Sequence, residues 1–428
     1  MTSVDAFGNV IDPTVGYARG TILSSSAAEV LRLRNAQRVA AEVVATRGIE
    51  SIGIFTGNSR DFPLTSLDLD RCEEWVGPGL FADRLRRVAI DHLGGLADDA
   101  VAVMNRTSGG IVAAMMALSD GRPVVSLVPT GDRSHASVIR GCRLAGVPLV
   151  EVDDVSAVAA VLDEERPALM VVTTVTSTLA RLDDDDAVAG IDAARAAGVI
   201  VFMDEAYGAR LRPVLHAGAK SLALGGDLAI TNTDKAGLSG PRGGVIVGRE
   251  PHVVEVLARA SELGMEARAP IALGALRSLE AFDPQVLETE VDDGRAIADV
   301  LAARLGEGAV ERTELGPSLS EESVMTLARS RPGGNLLTLV PCEVTAAVGM
   351  LLLRDHGVLT VNTHGQPGGR VSIRLKPTAR AIERTGGPHA LAEALDAAIT
   401  SVAALGSDER WVAELLFGQP PNGSQRGV

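Results

Sequence analysis

Lysine is nearly absent from this chain of 428 residues: three occur, Lys220, Lys235 and Lys376, and arginine carries the rest of the positive charge. Arginine cannot stand in for lysine in imine chemistry, because its guanidinium stays protonated. Each surviving lysine therefore raises the question of what its amine does. Cysteine is as sparse. Cys72, Cys142 and Cys342 are widely spaced, odd in number and without a CxxC pair, so neither a zinc site nor a disulfide framework is implied. Basic charge is short too: 40 Lys and Arg against 55 Asp and Glu leave −15, with a pI of about 5.0. An acidic surface repels phosphate backbones, and nucleic acid is not the expected partner. No uncharged apolar run approaches the ~18–20 residues of a membrane helix. The opening MTSVDAFGNVIDP lacks a basic region followed by an apolar one, so no signal peptide is expected and the cytoplasm is the expected location. Aromatics make up 3% of the chain, which leaves a core of Ala, Val, Leu and Ile; the 46% hydrophobic content is ample for one.

From about residue 100 the chain becomes regular. Short apolar runs (AVAVM, PVVSLV, PLVEV, ALMVVTTV, VIVFMDE, LAITNT, GGVIVG) alternate with Ala-rich helical stretches such as IVAAMMALSD and AVAGIDAARAAG. That alternation predicts an α/β fold with a mostly parallel sheet covered on both faces. Helix-like stretches also precede it, at SSAAEVLRLRNAQRVAAEVVATRG and FADRLRRVAIDHLGG. Beyond about residue 310 a smaller α/β unit is expected, with strand-like runs at NLLTLV, GVLTVN and RVSIRL. The expected division is an N-terminal segment 1–80, a large domain 81–275, and a linker helix with a small C-terminal domain 276–428. LDDDD at 182–186 reads as a turn and helix start, where carboxylates oppose the helix dipole.

The run VIVFMDEAYG ends a buried strand in Asp204, followed by Glu205, Ala206 and Tyr207. Open parallel sheets bind ligands at the carboxyl ends of their strands. An acidic pair there suits a nucleoside triphosphatase, but none of the three lysines stands in a phosphate loop G-x-x-x-x-G-K-[ST]. It also suits an aspartate that pairs with a protonated pyridine nitrogen and keeps the ring an electron sink. A plain helix cap is the third reading. TNTDKAGLSGPRGG then places Lys235 on a Gly-rich loop after the next strand, facing the same crevice. This amine is the candidate for a Schiff base with pyridoxal 5′-phosphate, and the hydroxyls of Thr231 and Thr233 are candidates for phosphate contacts. A phosphate pocket is expected at NRTSGG, where Thr107, Ser108 and Gly109 open a helix whose free N–H groups and dipole attract an anion. His135, in GDRSHAS at another helix start, is placed to lie flat on a cofactor ring. Arg374, in the strand-like RVSIRL, can hold a substrate carboxylate in its fork, with Arg370 and Arg380 as rivals.

DRSHASVIRGCRLAG resembles the His-containing turn of fold-type I pyridoxal-phosphate enzymes, the α-oxoamine synthases among them. MDEAYG and TNTDKAGLSGPRGGVIVG, with NRTSGGI, LGMEARAP and GQPGGRVSIRLKPTARAIER, more closely resemble the selenocysteine-synthase-like family. Its archaeal-type relatives of bacterial L-seryl-tRNA(Sec) selenium transferase are the nearest branch, over residues from about 35 to about 400. The resemblance implies an aspartate-aminotransferase-like fold with a seven-stranded, mostly parallel sheet, and a homo-oligomer of at least two chains. It makes Lys235 the Schiff-base lysine, Asp204 the pyridine partner, His135 the stacking residue, and Thr107, Ser108 and Gly109 phosphate ligands. Glu266 and Arg268 of LGMEARAP, with Tyr207, become candidates at the substrate. The bacterial transferases carry an N-terminal tRNA-binding region; no strongly basic module appears here, so tRNA is not expected.

The expected activity is β- or γ-elimination or replacement on a small amino acid, through an external aldimine and an α-carbanion. Transamination or racemisation shares the same residues as far as the carbanion. A non-catalytic or tRNA-binding relative is the alternative of another class.

Overall fold

A computed structural model of the chain describes residues 3–58, 63–362 and 371–418. It divides into two compact units, Asn58–Glu288 on one hand and Met1–Gly57 with Thr289–Val428 on the other.

The first unit is built on seven strands: β1 Ala100–Met104, β2 Val124–Leu127, β3 Leu149–Val152, β4 Leu169–Thr173, β5 Ile200–Asp204, β6 Leu228–Asn232 and β7 Gly244–Gly248. They correspond to the seven apolar runs of the sequence. Their order across the sheet is β1-β7-β6-β5-β4-β2-β3. β2 to β6 run parallel, while β7 lies antiparallel between β1 and β6. Side chains alternate between the two faces, as the two-residue period of a strand requires. Leu169, Val171, Phe202 and Ile230 face one core, which also holds Ile111, Met115, Val138 and Val256 from the covering helices. Met170, Val172, Val201, Met203 and Ala229 face the other. Asp204 therefore shares its face with the helices Thr107–Leu118 and Ala136–Ala145, and Glu205, one residue on, turns away. Close approach fixes one end of this arrangement: a Cβ on Gly244 of β7 would sit 2.7 Å from the Cα of Thr107. The LDDDD segment forms a helix start, with Asp184, Asp185 and Asp186 in the first turn of Asp184–Ala196.

The second unit gathers the helices Ser26–Arg47, Pro341–His356 and Pro388–Leu405 around a shared core. A three-stranded antiparallel sheet joins Glu311–Thr313, Gly316–Leu319 and Ile373–Arg374, and Val358–Leu359 pairs in parallel with Gly53–Ile54. One expectation is corrected here. NLLTLV is not a strand: it contains a 3-10 turn, Gly334–Leu336, and then leads into the helix from Pro341, because the proline at the helix start fixes the backbone for it. The residues up to Gly57 belong to the same compact unit as Thr289–Val428, and the other unit ends at Glu288. Polar contacts tie the N-terminal residues into this unit. Glu343 Oε1 accepts from the N–H groups of Ile22 (2.7 Å) and Leu23 (2.8 Å), and Asn35 Nδ2 donates to the carbonyls of Leu415 (3.1 Å) and Leu416 (3.0 Å).

Among the described residues, no helix is long and apolar enough to cross a membrane. Glu343 is 1% exposed, so Glu343→Ala strands the N–H groups of half-buried Ile22 and buried Leu23. Such a change costs about 2–3 kcal/mol. Chemical denaturation should show that loss, and limited proteolysis should cut the variant first near residues 20–25; an unchanged midpoint would refute the role given to this carboxylate.

Candidate active site

Chain polarity collects the expected residues at one edge of the parallel strands. Asp204 ends β5, and the loop beyond β6 carries Lys235. Asp204 is 3% exposed, and its Oδ1 has no hydrogen-bond partner among the described residues. Burial is the main cause that raises its pKa to about 6, Glu205 adds to the rise, and the Ala206 N–H and Lys235 hold it down in part. Opposite it in the register stands Thr173, the last residue of β4, whose buried Oγ1 is also without a partner. Two unsatisfied polar atoms side by side on one face of a strand end are costly unless a ligand completes them.

Lys235 is half-buried and forms no hydrogen bond to a described residue; its Nζ lies 5.0 Å from the centre of the Tyr207 ring. The backbone here is unusual. Ala236 has φ +49° and Gly237 φ +80°, and the Lys235 carbonyl accepts from Leu238 N at 3.2 Å, which closes a tight turn. Left-handed backbone is ordinary for glycine and costly for alanine. The turn is anchored on the sheet side by Gly240 N to Thr233 O (2.8 Å) and Ser278 Oγ to the same carbonyl (2.9 Å).

His135 caps the helix Ala136–Ala145, its Nδ1 accepting from Ser137 N at 3.2 Å. With Nδ1 an acceptor, the ring proton belongs on Nε2. Crowding by protein pulls the pKa down to about 4, and the charges of Lys235, Arg140 and Arg106 act the same way. More than a third of the residue's surface is nonetheless open, as befits a side chain that lines a crevice. The imidazole is neutral at neutral pH. At the neighbouring helix start, the N–H groups of Thr107 and Ser108 donate to no described residue, and Thr107 Oγ1 donates to Gly243 O at 3.2 Å. Gly109 is tight against the loop: a Cβ there would lie 3.2 Å from Asn105 Oδ1.

Several expected residues fall elsewhere. Thr231 and Thr233 are fully buried, and their hydroxyls are spent inside the protein. Thr231 Oγ1 donates to Glu205 O (2.9 Å) and accepts from Arg210 Nη1 (2.8 Å), and Thr233 Oγ1 donates to Pro241 O (2.6 Å). Neither is left to hold a phosphate. Arg268 is exposed and paired with Glu74 at 3.0 Å, and Glu266 has a buried Oε2 without a partner. Arg374 belongs to the other unit, half-buried, with its Nε on Ser372 Oγ at 3.0 Å. Arg370 lies outside the described residues.

Sequence reading missed two buried arginines in GARLRPVL, the helix Gly208–Leu215. Arg212 bonds Glu205 Oε2 (2.9 Å), Thr174 Oγ1 (3.0 Å) and Asp184 Oδ1 (3.0 Å), while Ser221 Oγ donates to Glu205 at 2.8 Å. Burial opposes the charge of Arg212, yet Glu205 and Asp184 hold its pKa above the usual value. The acidic pair Asp204–Glu205 thus splits: one acid is neutralised by arginine, the other is left open. Two arginines inside an otherwise apolar helix were the signal available in the sequence.

These residues fit pyridoxal phosphate: an unpaired amine for its aldehyde, an orphaned carboxylate oxygen for its ring nitrogen, a neutral imidazole, and unspent helix N–H groups for its phosphate.

The comparisons agree in kind. A family model described as aminotransferase class I and II matches residues 82–321. A UPF0425 pyridoxal phosphate-dependent protein of Methanothermobacter thermautotrophicus is 34% identical over 91% of this chain and 98% of its own length. One of Methanosphaera stadtmanae is 27% identical over 82% of this chain and 89% of its own. Among solved structures, L-threonine transaldolase from Pseudomonas fluorescens shares the fold with TM-score 0.56 at 14% identity, covering 90% of this chain and 94% of that one. Alanine–glyoxylate aminotransferase from Nostoc sp. shares it with TM-score 0.54 at 13% identity, covering 81% and 94%.

Because the folded pKa of Asp204 is raised from 3.8 to about 6, its contribution is present below pH 4 and lost as pH rises through 6. Above that, the ligand-free protein carries a buried charge. Asp204→Asn should therefore stabilise the ligand-free protein at pH 8 by about 2 kcal/mol, and the gain should vanish near pH 4. Denaturation at both pH values checks this; a variant less stable at pH 8 would contradict the reading of the carboxylate.

Proposed function

The chain belongs to the aminotransferase class I and II family and groups with the UPF0425 pyridoxal phosphate-dependent proteins, and from that premise we propose an enzyme that uses pyridoxal 5′-phosphate to eliminate or replace a β or γ substituent of a small amino acid. The observation that carries the proposal is the orphaned Asp204 Oδ1, in a site where the charge of Lys235 acts on both Asp204 and His135. When bound, pyridoxal phosphate supplies an aldehyde that takes up amino groups and a ring that draws electrons from a substrate α-carbon.

The protein's own groups would divide the work. Lys235 Nζ would hold the aldehyde carbon, and the same nitrogen, once released, would move the proton at the substrate α-carbon. Asp204 would keep a proton on the ring nitrogen: its low-dielectric setting strengthens attraction to a cation, and the pairing repays the burial. Neutral His135 would lie against the ring with Nε2–H free to donate, without adding a charge that competes for electrons. Thr107, Ser108 and Gly109 would take the phosphate at the helix start. The Tyr207 ring, 5.0 Å from Nζ, limits the directions the amine can take. Arg374 is kept as the ligand of the substrate carboxylate on its chemistry alone.

Elimination or replacement is supported by the sequence resemblance to the selenocysteine-synthase-like branch, and lyase or transferase is the class that follows. Transamination is the second reading, favoured by the family model over residues 82–321. A homo-oligomer of at least two chains is supported by the apolar side chains Leu67, Trp75 and Leu80, exposed by 83%, 89% and 61% along one short stretch. The charge of −15 argues for a small-molecule substrate rather than nucleic acid.

Pyridoxal phosphate added to the purified protein should give a visible band, and borohydride should fix the cofactor's mass on the peptide that contains Lys235. Lys235→Ala should lose both, with activity reduced by at least a thousandfold. Ammonia and a keto acid released from an amino-acid panel would support elimination, whereas accumulation of pyridoxamine phosphate would support transamination. A protein that binds no pyridoxal phosphate, or that is labelled at Lys220 instead, would sink the proposal.

A further inference from the structure

Arg210 has no place in the chemistry just described, yet it is fully buried, and burial pulls its pKa down to about 10. Its hydrogen bonds go to oxygens that are not carboxylates. Nε donates to Ala236 O (3.1 Å), Nη1 to Thr231 Oγ1 (2.8 Å), and Nη2 to both Ala206 O (2.9 Å) and Asn232 Oδ1 (2.9 Å). His92 Nε2 lies 3.4 Å from Nη1. A buried guanidinium costs a good deal of solvation, so its retention asks for a reason.

The partners supply one. Ala206 follows the Asp204–Glu205 pair, and Ala236 follows Lys235 directly. Asn232 adds a second tie, its Nδ2 donating to Ala206 O. A single rigid fork therefore spans the two loops that carry the acid and the amine, and it holds the carbonyl of the residue whose φ of +49° is least comfortable. Asp234, 2% exposed and steadied by Asn58 Nδ2 at 3.2 Å, adds a favourable charge within range of the guanidinium.

We propose that Arg210 is a positioning residue: by clamping the Ala206 and Ala236 carbonyls together, it keeps the left-handed turn after Lys235 closed and sets the amine at a fixed place relative to Asp204. The idea rests on the assignment of Lys235 and Asp204 to pyridoxal phosphate. Lysine at 210 keeps the charge and loses the fork. Opening the turn releases the Leu238 and Gly240 amides, moves Lys235 Nζ, and weakens its hold on the aldehyde.

In Arg210→Lys, the dissociation constant for pyridoxal phosphate should rise at least tenfold, the pH midpoint of the visible band should move by half a unit or more, and exchange at the Leu238 and Gly240 amides should accelerate tenfold. Ala236→Gly, which accepts a positive φ without strain, should restore most of the affinity when added to Arg210→Lys. A residue that only supports the fold would lower the unfolding midpoint without moving the band, and Ala236→Gly would not rescue it. Wild-type affinity, band midpoint and exchange in Arg210→Lys would overturn the proposal. If Arg210→Lys does not fold, Thr231→Val removes one acceptor with the guanidinium in place: a rise of twofold or more in the dissociation constant sustains the clamp, and an unchanged one overturns it. Failure of the cofactor assignment itself reads differently, since the wild-type protein would then give no visible band.

Discussion

A carboxylate that water cannot reach, at the end of a strand and with one oxygen left unpaired, is the constraint from which the rest of this site follows. Desolvation raises the free energy of such an anion, and the protein does not relieve it by supplying a guanidinium, although two arginines lie within a few residues. It uses Arg212 on the other side of the sheet and Arg210 between the loops that follow two strands. Strand alternation sends Asp204 to one face and Glu205 to the opposite one, and there Arg212, Ser221 and Thr174 satisfy Glu205. The result is a difference between adjacent carboxylates that composition alone does not disclose: one is paired with arginine, the other keeps an oxygen without a partner among the described residues.

The same logic runs through His135. A protonated imidazole beside Lys235, Arg140 and Arg106 would add a further positive charge in a crowded place. The helix cap settles the matter locally, because Nδ1 is occupied as an acceptor from Ser137 N and the ring stays neutral with its proton on the far nitrogen. Backbone geometry, rather than a titrating partner, thus decides which atom faces the crevice. Thr173 fits the pattern as a neutral hydroxyl beside the open carboxylate, able to donate or accept without changing the charge of the site.

Much of this was legible in the sequence because it is carried by local pattern. Seven apolar runs became seven strands, and the acid and the lysine followed from their positions just past two of those runs. What the sequence hid depends on direction in space. Thr231 and Thr233 sit beside Lys235 in the chain, but the sheet and the buried arginine take their hydroxyls inward. NLLTLV has strand-like composition, yet Pro341 commits the backbone after it to a helix. The first residues carry no sign of the distant glutamate, Glu343, that holds them. The resemblance made Arg268 a site candidate, and a half-buried Glu74 far away in sequence claims it.

The scarcity of lysine takes on meaning in this setting. An aldehyde reacts with any accessible uncharged amine, so a protein that must direct it to one nitrogen gains from removing the others. Lys220 donates to Asp91 at its carbonyl (2.6 Å) and carboxylate (3.1 Å), which holds the amine as a bound cation. Lys376 is 5% exposed in the second unit. Lys235 differs from both: half-buried, facing an aromatic ring, with no hydrogen bond to a described residue that would have to break before it reacts. Arginine elsewhere supplies the positive charge that folding needs while remaining inert to carbonyls. With Lys235 in its proposed role, the composition and the site would be two expressions of one requirement, that a single amine be reactive.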